Sequence, residues 1–124
     1  MKPSFGEDLE ERCFRYARDY GKFCRSIKKD FVLLEYCNQG IRSSGSVGAN
    51  YIEANESLSS KDFILMVKIC RKESKESRYW LRLINELLTE ENQLRECNRL
   101  IQEAKELMLI FNSMISRTNR AKNE

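Results

Sequence analysis

The chain has 124 residues, of which 41% are hydrophobic and 33% charged, and its net charge is +3 at pH 7. This length allows one domain with its own core, and the mildly basic charge does not by itself establish a nucleic-acid partner. The sequence contains no histidine, which excludes Ser-His or Cys-His catalysis and the Glu-x-x-His metal motif. No apolar run is long enough to span a membrane and no signal-peptide pattern is present, so we expect a cytoplasmic protein without a membrane partner.

One proline and five glycines leave few helix breaks, which favours a small number of long helices. We predict an all-α protein, an up-down four-helix bundle that forms a single domain over residues 1–124. The predicted helices cover residues 7–27, 30–56, 60–88 and 90–117, and a frayed polar tail follows at 118–124.

The first helix carries apolar residues at alternating spacings of four and three, which is the pattern of a bundle seam. These residues are Leu9, Cys13, Tyr16, Tyr20, Phe23 and Ile27. Asp30 is predicted to cap the second helix.

The second helix has a core stripe that includes two glycines, Gly45 and Gly48, beside Ala49. Glycine within a helix costs about 1 kcal/mol relative to alanine, so we expect close packing of a neighbouring helix to compensate. A phosphate-binding loop is the alternative, but the motif GxxxxGK[ST] is absent. The predicted stripe is Leu34, Cys37, Ile41, Gly45, Gly48 and Ile52.

The third helix begins after a serine-rich break, where Ser59 or Ser60 can act as the N-cap. Its apolar arc, with the seam and the flanking residues counted together, spans about 200°, which is more than one bundle core requires. We therefore expect part of this arc to form a subunit interface. Thr89 is predicted to cap the fourth helix, whose apolar rhythm runs from Leu94 to Ile115.

A ridge of basic residues follows the third helix within about 120° of its circumference. Such a ridge can bind phosphates without reading sequence; the alternative is a solvated face neutralised by Glu73, Glu76 and Glu86. The ridge residues are Lys61, Lys68, Arg71, Lys72, Lys75, Arg78 and Arg82.

Two glutamate pairs, Glu53-x-x-Glu56 and Glu73-x-x-Glu76, place carboxylates on one face of consecutive helices. This spacing resembles the ExxE…ExxD signature of all-α nucleotide pyrophosphohydrolases, which bind Mg²⁺, but Glu76 stands where that family has aspartate. The alternative is that these glutamates form ion pairs with nearby arginine and lysine side chains. We favour the ion pairs and predict no metal site, because carboxylate spacing alone is unspecific.

The five cysteines are widely spaced without a CxxC pair, so we predict small buried apolar side chains rather than a zinc site. Tyr79 and Trp80 can be read as a base-stacking platform, but beside Leu81 and Leu83 they favour the core or a subunit contact.

Two segments closely resemble the four-helix-bundle proteins encoded in intervening sequences of bacterial 23S ribosomal RNA genes: RSSGSVGANYIEANESLSSKDF and KICRKESKESRYWLRL. The resemblance implies a four-helix bundle, a ring-shaped homopentamer and association with RNA or another nucleic acid. A relative with a similar fold, the accessory protein of diversity-generating retroelements, forms a basic pentamer and works with a reverse transcriptase. The residues that match the family pattern are Arg42, Asn50, Glu53, Lys72, Glu73, Glu76, Tyr79 and Trp80.

The resemblance transfers no catalytic residue and no cofactor. We therefore predict a non-enzymatic, oligomeric adaptor that associates with nucleic acid through the basic ridge, and the resemblance implies that this nucleic acid is RNA. The two alternatives are a Mg²⁺-dependent nucleotide pyrophosphohydrolase and a purely structural assembly module.

Overall fold

The computed structural model describes residues 5–123 of the chain, and the side chains of residues 9–121. The described part is all-α, as predicted, and contains four helices and no strand. The helices are α1 (Phe5–Ser26), α2 (Phe31–Asn55), α3 (Ser60–Leu87) and α4 (Glu91–Asn123).

Two of the predicted N-caps are confirmed. The Asp30 side chain accepts a hydrogen bond from the backbone N–H of Leu33 at 2.9 Å, at the start of α2. The Ser59 side chain accepts one from the backbone N–H of Asp62 at 3.1 Å, at the start of α3. Each cap satisfies a backbone donor that has no partner within the helix.

The ends of α4 differ from the prediction. Glu90, rather than Thr89, occupies the capping position, because α4 begins one residue later and the Glu90 carboxylate accepts from the N–H groups of Asn92 and Gln93 at 2.9 and 3.0 Å. The segment predicted to be a frayed tail, 118–124, is helical as far as Asn123, and its last residue lies outside the described residues. No glycine or proline follows Gly48 in the sequence, so nothing there stops the helix.

The helices pack around one core. Each helix contacts the next one in the chain, and α1 also contacts α4. The predicted seam of α1 is confirmed, since all six of its residues are buried. The three-four spacing predicts a seam of α3 from Phe63 to Leu88. Its residues Val67, Cys70, Ser74, Ser77, Leu81 and Ile84 are buried, whereas Phe63 is half-buried and the neighbouring Ile64 is buried instead.

Two tyrosines of α1 reach across the core to α3. The Tyr16 hydroxyl lies 2.7 Å from the Ser77 hydroxyl, and the Tyr20 hydroxyl donates to the Ser77 backbone carbonyl at 2.9 Å. Burial raises the pKa of both phenols above the ordinary value. The Ser77 and Ser74 hydroxyls donate to the carbonyls of Ser74 and Cys70, both at 2.9 Å, so both buried serines are hydrogen-bonded, which offsets the cost of burying them.

The packing face of α2 is rotated relative to the predicted stripe. Leu34, Ile41, Gly45 and Ile52 are exposed, so the prediction is wrong for these four positions. Small and apolar residues occur on every side of α2, so its sequence is compatible with two different packing faces. Contacts with α1 and α3 select the face that was not predicted. The buried face consists of Cys37, Gly40, Ser43, Ser44, Val47, Tyr51 and Ala54.

The closest helix approach occurs at Gly40. A Cβ at this position would collide with the Tyr20 hydroxyl and lie 2.6 Å from its ring carbons. At Gly48 a Cβ would lie 3.2 Å from the Cβ of Cys13, which confirms a tight contact there. Gly45 and Ala49 make no such contact within the described part of the chain, since nothing there lies within 4 Å of a Cβ at Gly45 and Ala49 is exposed.

All five cysteines are buried and free, as predicted. Burial raises the pKa of Cys13 and Cys70 to about 12, so these thiols stay protonated at neutral pH. Within the described residues, no helix is long and apolar enough to cross a membrane.

Candidate nucleic-acid interface

The basic ridge lies along the flank of α3 that borders α4. Five of its residues are exposed, and Arg71 and Arg78 are half-buried. The ridge runs from Lys61 to Arg82, about 30 Å along the helix axis at 1.5 Å per residue. It therefore presents cations over nearly the whole length of α3.

The ridge is almost free of neutralising carboxylates. Among the side chains of residues 9–121, the only ion pair that a ridge residue makes joins Lys72 to Glu73 at 4.0 Å, and the Lys72 side chain is 74% exposed. Ion pairs this exposed contribute little. Of the three glutamates that could neutralise the ridge, only Glu73 therefore lies within ion-pair distance of a ridge cation among the described side chains.

Glu73 is half-buried and Glu76 is exposed. Burial, and then the charge of Glu76, raises the pKa of Glu73 above its ordinary value. Glu53 and Glu56 are exposed on α2. The described residues contain no group of three or more potential metal ligands of the cysteine, histidine or carboxylate type, so the two glutamate pairs do not converge on one site.

Arg71 is held in place by α4. Its Nη1 donates to the Asn112 side-chain oxygen at 2.8 Å. The acceptor is a neutral amide, so the guanidinium keeps its full charge and most of its N–H donors. Sequence reasoning missed Asn112, because only the register between α3 and α4 brings it to the ridge.

A recess of about 510 Å³ opens between α3 and α4 at the middle of the ridge. A second recess of about 260 Å³ continues toward the start of α3, where Lys61 and Lys68 lie beside Asp62 and Asn119. No carboxylate lines the larger recess. Its lining residues are Lys68, Arg71, Lys72, Lys75, Met108 and Asn112.

The aromatic pair at the end of the ridge divides between core and surface. The Trp80 ring is half-buried and packs against Tyr36 of α2, with ring centroids 5.9 Å apart, whereas Tyr79 is 53% exposed. Trp80 therefore belongs to the α2–α3 contact, in line with the core interpretation. Within the described residues, its indole N–H and the Nε of Arg78 are buried without a hydrogen-bond partner.

The remaining family-pattern residues lie on α2. Asn50 donates from its side chain to the Ser46 carbonyl at 2.8 Å and so stays on its own helix. Arg42 is exposed. Neither residue extends the ridge, which is confined to α3 and its border with α4.

A different surface, the groove between α1 and α2, is apolar. One recess of about 240 Å³ is lined by Phe14 and Ala17 of α1 and by the predicted packing residues Gly45, Gly48 and Ala49. A second, also of about 240 Å³, lies next to Leu34 and Ile41. Phe14 and Ile52, at the rim, are 60% and 54% exposed. The small residues of α2 therefore shape an open groove on the chain's surface.

Five arginines on α1 and α4 have carboxylate partners, unlike most residues of the ridge. Arg12 binds Glu103 through two hydrogen bonds of 2.8 Å, and Arg99 bridges Glu96 and Asp19 at 2.6 and 3.0 Å. Three more arginines of these helices lie within 4 Å of a carboxylate, namely Arg15, Arg18 and Arg95.

These features define a small helical-bundle protein with one uncompensated basic flank and one apolar groove. The chain belongs to the 23S rRNA-intervening sequence protein family, whose model matches residues 8–112. This confirms the resemblance found in the sequence.

A crystal structure of a protein from Bacteroides thetaiotaomicron is similar to this chain. That protein is described as one of unknown function from the S23 ribosomal protein family. The two chains are 28% identical with a TM-score of 0.72, and the alignment covers 86% of this chain and 97% of the other. No curated protein matches the chain.

Proposed function

We propose that the protein is a non-enzymatic, oligomeric adaptor that binds nucleic acid, and RNA in particular, through the ridge on α3. The observation that carries the proposal is the ridge itself: seven cations on one flank with a single weak ion pair among the described residues. Family membership supports RNA as the partner, because the family takes its name from insertions in a ribosomal RNA gene.

Binding through such a ridge is electrostatic. Each lysine or arginine that approaches a phosphate releases counterions condensed on the nucleic acid, and this favours association without regard to sequence. Phosphate contacts position a protein on the strand but carry no sequence information directly. We therefore expect weak, sequence-tolerant binding by one subunit.

We further propose that an up-down bundle assembles into a closed ring, a pentamer by resemblance to the family. A ring requires two different complementary patches on each subunit. The α1–α2 groove supplies a concave apolar patch. On α3, Tyr79 and Leu87 are about half exposed, and we propose that they contribute to the opposite patch. A ring repeats the ridge, so one long RNA that spans several subunits gains avidity.

The binding proposal is tested by reversing three ridge charges, Lys68→Glu, Lys72→Glu and Lys75→Glu, in one variant. All three side chains are exposed, so the helix content should be unchanged. We expect weaker binding to every RNA sequence by fluorescence anisotropy at low salt. Binding equal to that of the wild type would refute the ridge as the site.

The assembly proposal is tested by Gly45→Leu. None of the residues that the structure describes lies within 4 Å of a Cβ at this position, so the subunit should fold while the filled groove blocks assembly. Light scattering should give a pentamer mass for the wild type and 14.7 kDa for the variant. Gly40→Ala is the contrasting variant, since its Cβ collides with Tyr20 and should lower the melting temperature. A wild-type mass of one subunit would refute the ring.

The non-enzymatic part of the proposal has its own test. The sequence offers no histidine for acid–base work, and the family pattern supplies no catalytic residue. We expect no pyrophosphate release from nucleoside triphosphates incubated with the protein and Mg²⁺. Release that Glu53→Gln abolishes would establish the hydrolase instead.

A further inference from the structure

The larger recess between α3 and α4 is more than a segment of the ridge. We propose that it binds a compact chain of phosphates, such as the triphosphate of a nucleotide or of an RNA 5′ end, in preference to the internal phosphodiesters of a strand. This inference rests on the proposed function only in that both use the ridge.

The first argument is charge density. Lys68, Arg71, Lys72 and Lys75 stand at positions i, i+3, i+4 and i+7, so they share one face of α3 within about 10 Å along the axis. A strand carries one negative charge per phosphate and spreads these charges along its length. A triphosphate concentrates a comparable charge into one small group, which four converging cations neutralise together.

The second argument is shape. The recess of about 510 Å³ is the largest of those along the ridge. Its volume falls within the range of roughly 300–1,000 Å³ that is usual for small-ligand sites. Met108 contributes an apolar part of the wall on α4, beside the cations of α3. A strand on the outer edge of the ridge does not need such a recess, whereas a compact ligand does.

The third argument is preorganisation. The bond from Arg71 to Asn112 fixes the guanidinium at the α3–α4 border before any ligand arrives. Arginine binds phosphate oxygens in a planar, two-pronged geometry, and a guanidinium already in position loses less side-chain entropy on binding. Arg71 is thus the residue we expect to discriminate most between a phosphate chain and isolated phosphates.

The recess also lacks a competing charge. No carboxylate lines it, and Asp62 belongs to the neighbouring, smaller recess. An anion that enters therefore displaces only water and weakly held counterions. The Nζ of Lys72 lies 4.0 Å from a carboxylate oxygen of Glu73, and breaking this long, exposed ion pair costs little.

The test compares ligands that differ only in their phosphates. Inorganic tripolyphosphate is compared with orthophosphate, and a short RNA with a 5′-triphosphate with the same RNA ending in a 5′-hydroxyl. Binding is measured by titration calorimetry and by anisotropy, at about 0.15 M salt, where surface attraction is screened. We expect the triphosphate member of each pair to bind at least about tenfold more tightly. ATP is added as a separate arm, which distinguishes a free nucleotide from an RNA end as the source of the phosphates.

Arg71→Gln and Arg82→Gln form a matched pair of variants, since each removes one ridge cation, inside and outside the recess respectively. We expect Arg71→Gln to abolish the preference for the triphosphate, and Arg82→Gln to retain it. Asn112→Leu, which removes the acceptor but no charge, should reduce the preference as well. Circular dichroism confirms that each variant is folded.

The outcomes separate this inference from the proposed function. If the wild type binds 5′-hydroxyl and 5′-triphosphate RNA equally, the recess is not a phosphate-chain site, while the ridge still binds RNA. If tripolyphosphate binds and neither RNA does, the recess is a ligand site and the RNA proposal fails. If Arg71→Gln and Arg82→Gln behave alike, the preference does not arise in the recess, and the inference is wrong.

Discussion

The cations of α1 and α4 and those of α3 differ in what surrounds them. On α1 and α4, five arginines have a carboxylate within 4 Å, and the best of these contacts is the two-pronged bond from Arg12 to Glu103. On α3, only one of the seven ridge cations, Lys72, has a described carboxylate within ion-pair distance, which is Glu73 at 4.0 Å. A net charge of only +3 therefore hides a basic flank, because seven cations share one side of α3 and only one of them has a described carboxylate within ion-pair distance.

The largest expected effect comes from reversing charges on the ridge, compared with reversing the same number of charges on α1 and α4. We expect Lys68→Glu, Lys72→Glu and Lys75→Glu together to weaken RNA binding by about 100-fold at low salt. Arg15→Glu, Arg18→Glu and Arg95→Glu together change the net charge equally, but these arginines lie on α1 and α4, so the loss should stay within about threefold. Anisotropy with one RNA measures both. Equal losses would show that total charge, rather than its position, controls binding.

The next effect is on stability, and here the change on α1 should be the larger of the two. Arg12→Ala breaks hydrogen bonds to Glu103 and Glu106 and should lower the free energy of unfolding by about 1 kcal/mol. Arg82→Ala removes an exposed ridge cation and should change it by less than about 0.5 kcal/mol. Urea denaturation measures both values. A ridge variant as costly as Arg12→Ala would indicate that α3 uses its cations for folding.

The smallest effect is a pH dependence confined to α1 and α4. Burial raises the pKa of Asp19, but hydrogen bonds from Arg18 and Arg99 outweigh it and hold this pKa below the ordinary value of 3.8. A lowered carboxyl pKa means that its stabilisation is present above the ordinary value and is lost as the pH falls through the lowered one. Asp19→Asn should therefore be less stable than the wild type by a few tenths of a kcal/mol at pH 7. The difference should vanish in acid, and urea denaturation at several pH values would detect a difference that persists there.

The helices of this fold were largely predictable, because α1 and α3 each have one dominant apolar stripe. The seam positions of α1, from Leu9 to Ile27, and those of α3, from Val67 to Ile84, are buried as their spacing predicts. The short connections carry recognisable caps at Asp30 and Ser59. Local pattern and tertiary packing agree at these positions.

The orientation of α2 was not predictable in the same way. Glycine, alanine and serine occur on several of its faces, so periodicity alone does not choose one. The choice depends on Tyr20, a large residue of another helix, which needs the space beside Gly40 to reach Ser77. No feature of the α2 sequence carries that information.

The candidate site likewise has one part that the sequence predicts and another that depends on packing between helices. The cations from Lys61 to Arg82 lie on one helix, so their shared flank follows from helical geometry. Whether they are neutralised depends on where carboxylates of other residues point, and the recess depends on Met108 and Asn112 of α4. These are contacts between elements distant in sequence.

The most direct test of the central claim is the salt dependence of RNA binding by the wild type and by the triple ridge variant. Plotted as the logarithm of the affinity against that of the salt concentration, each phosphate contact contributes a slope of about −0.7 for single strands. The account predicts a steep wild-type line and a variant line that is shallower by about 2. Parallel lines, or a wild-type affinity that does not change with salt, would contradict it.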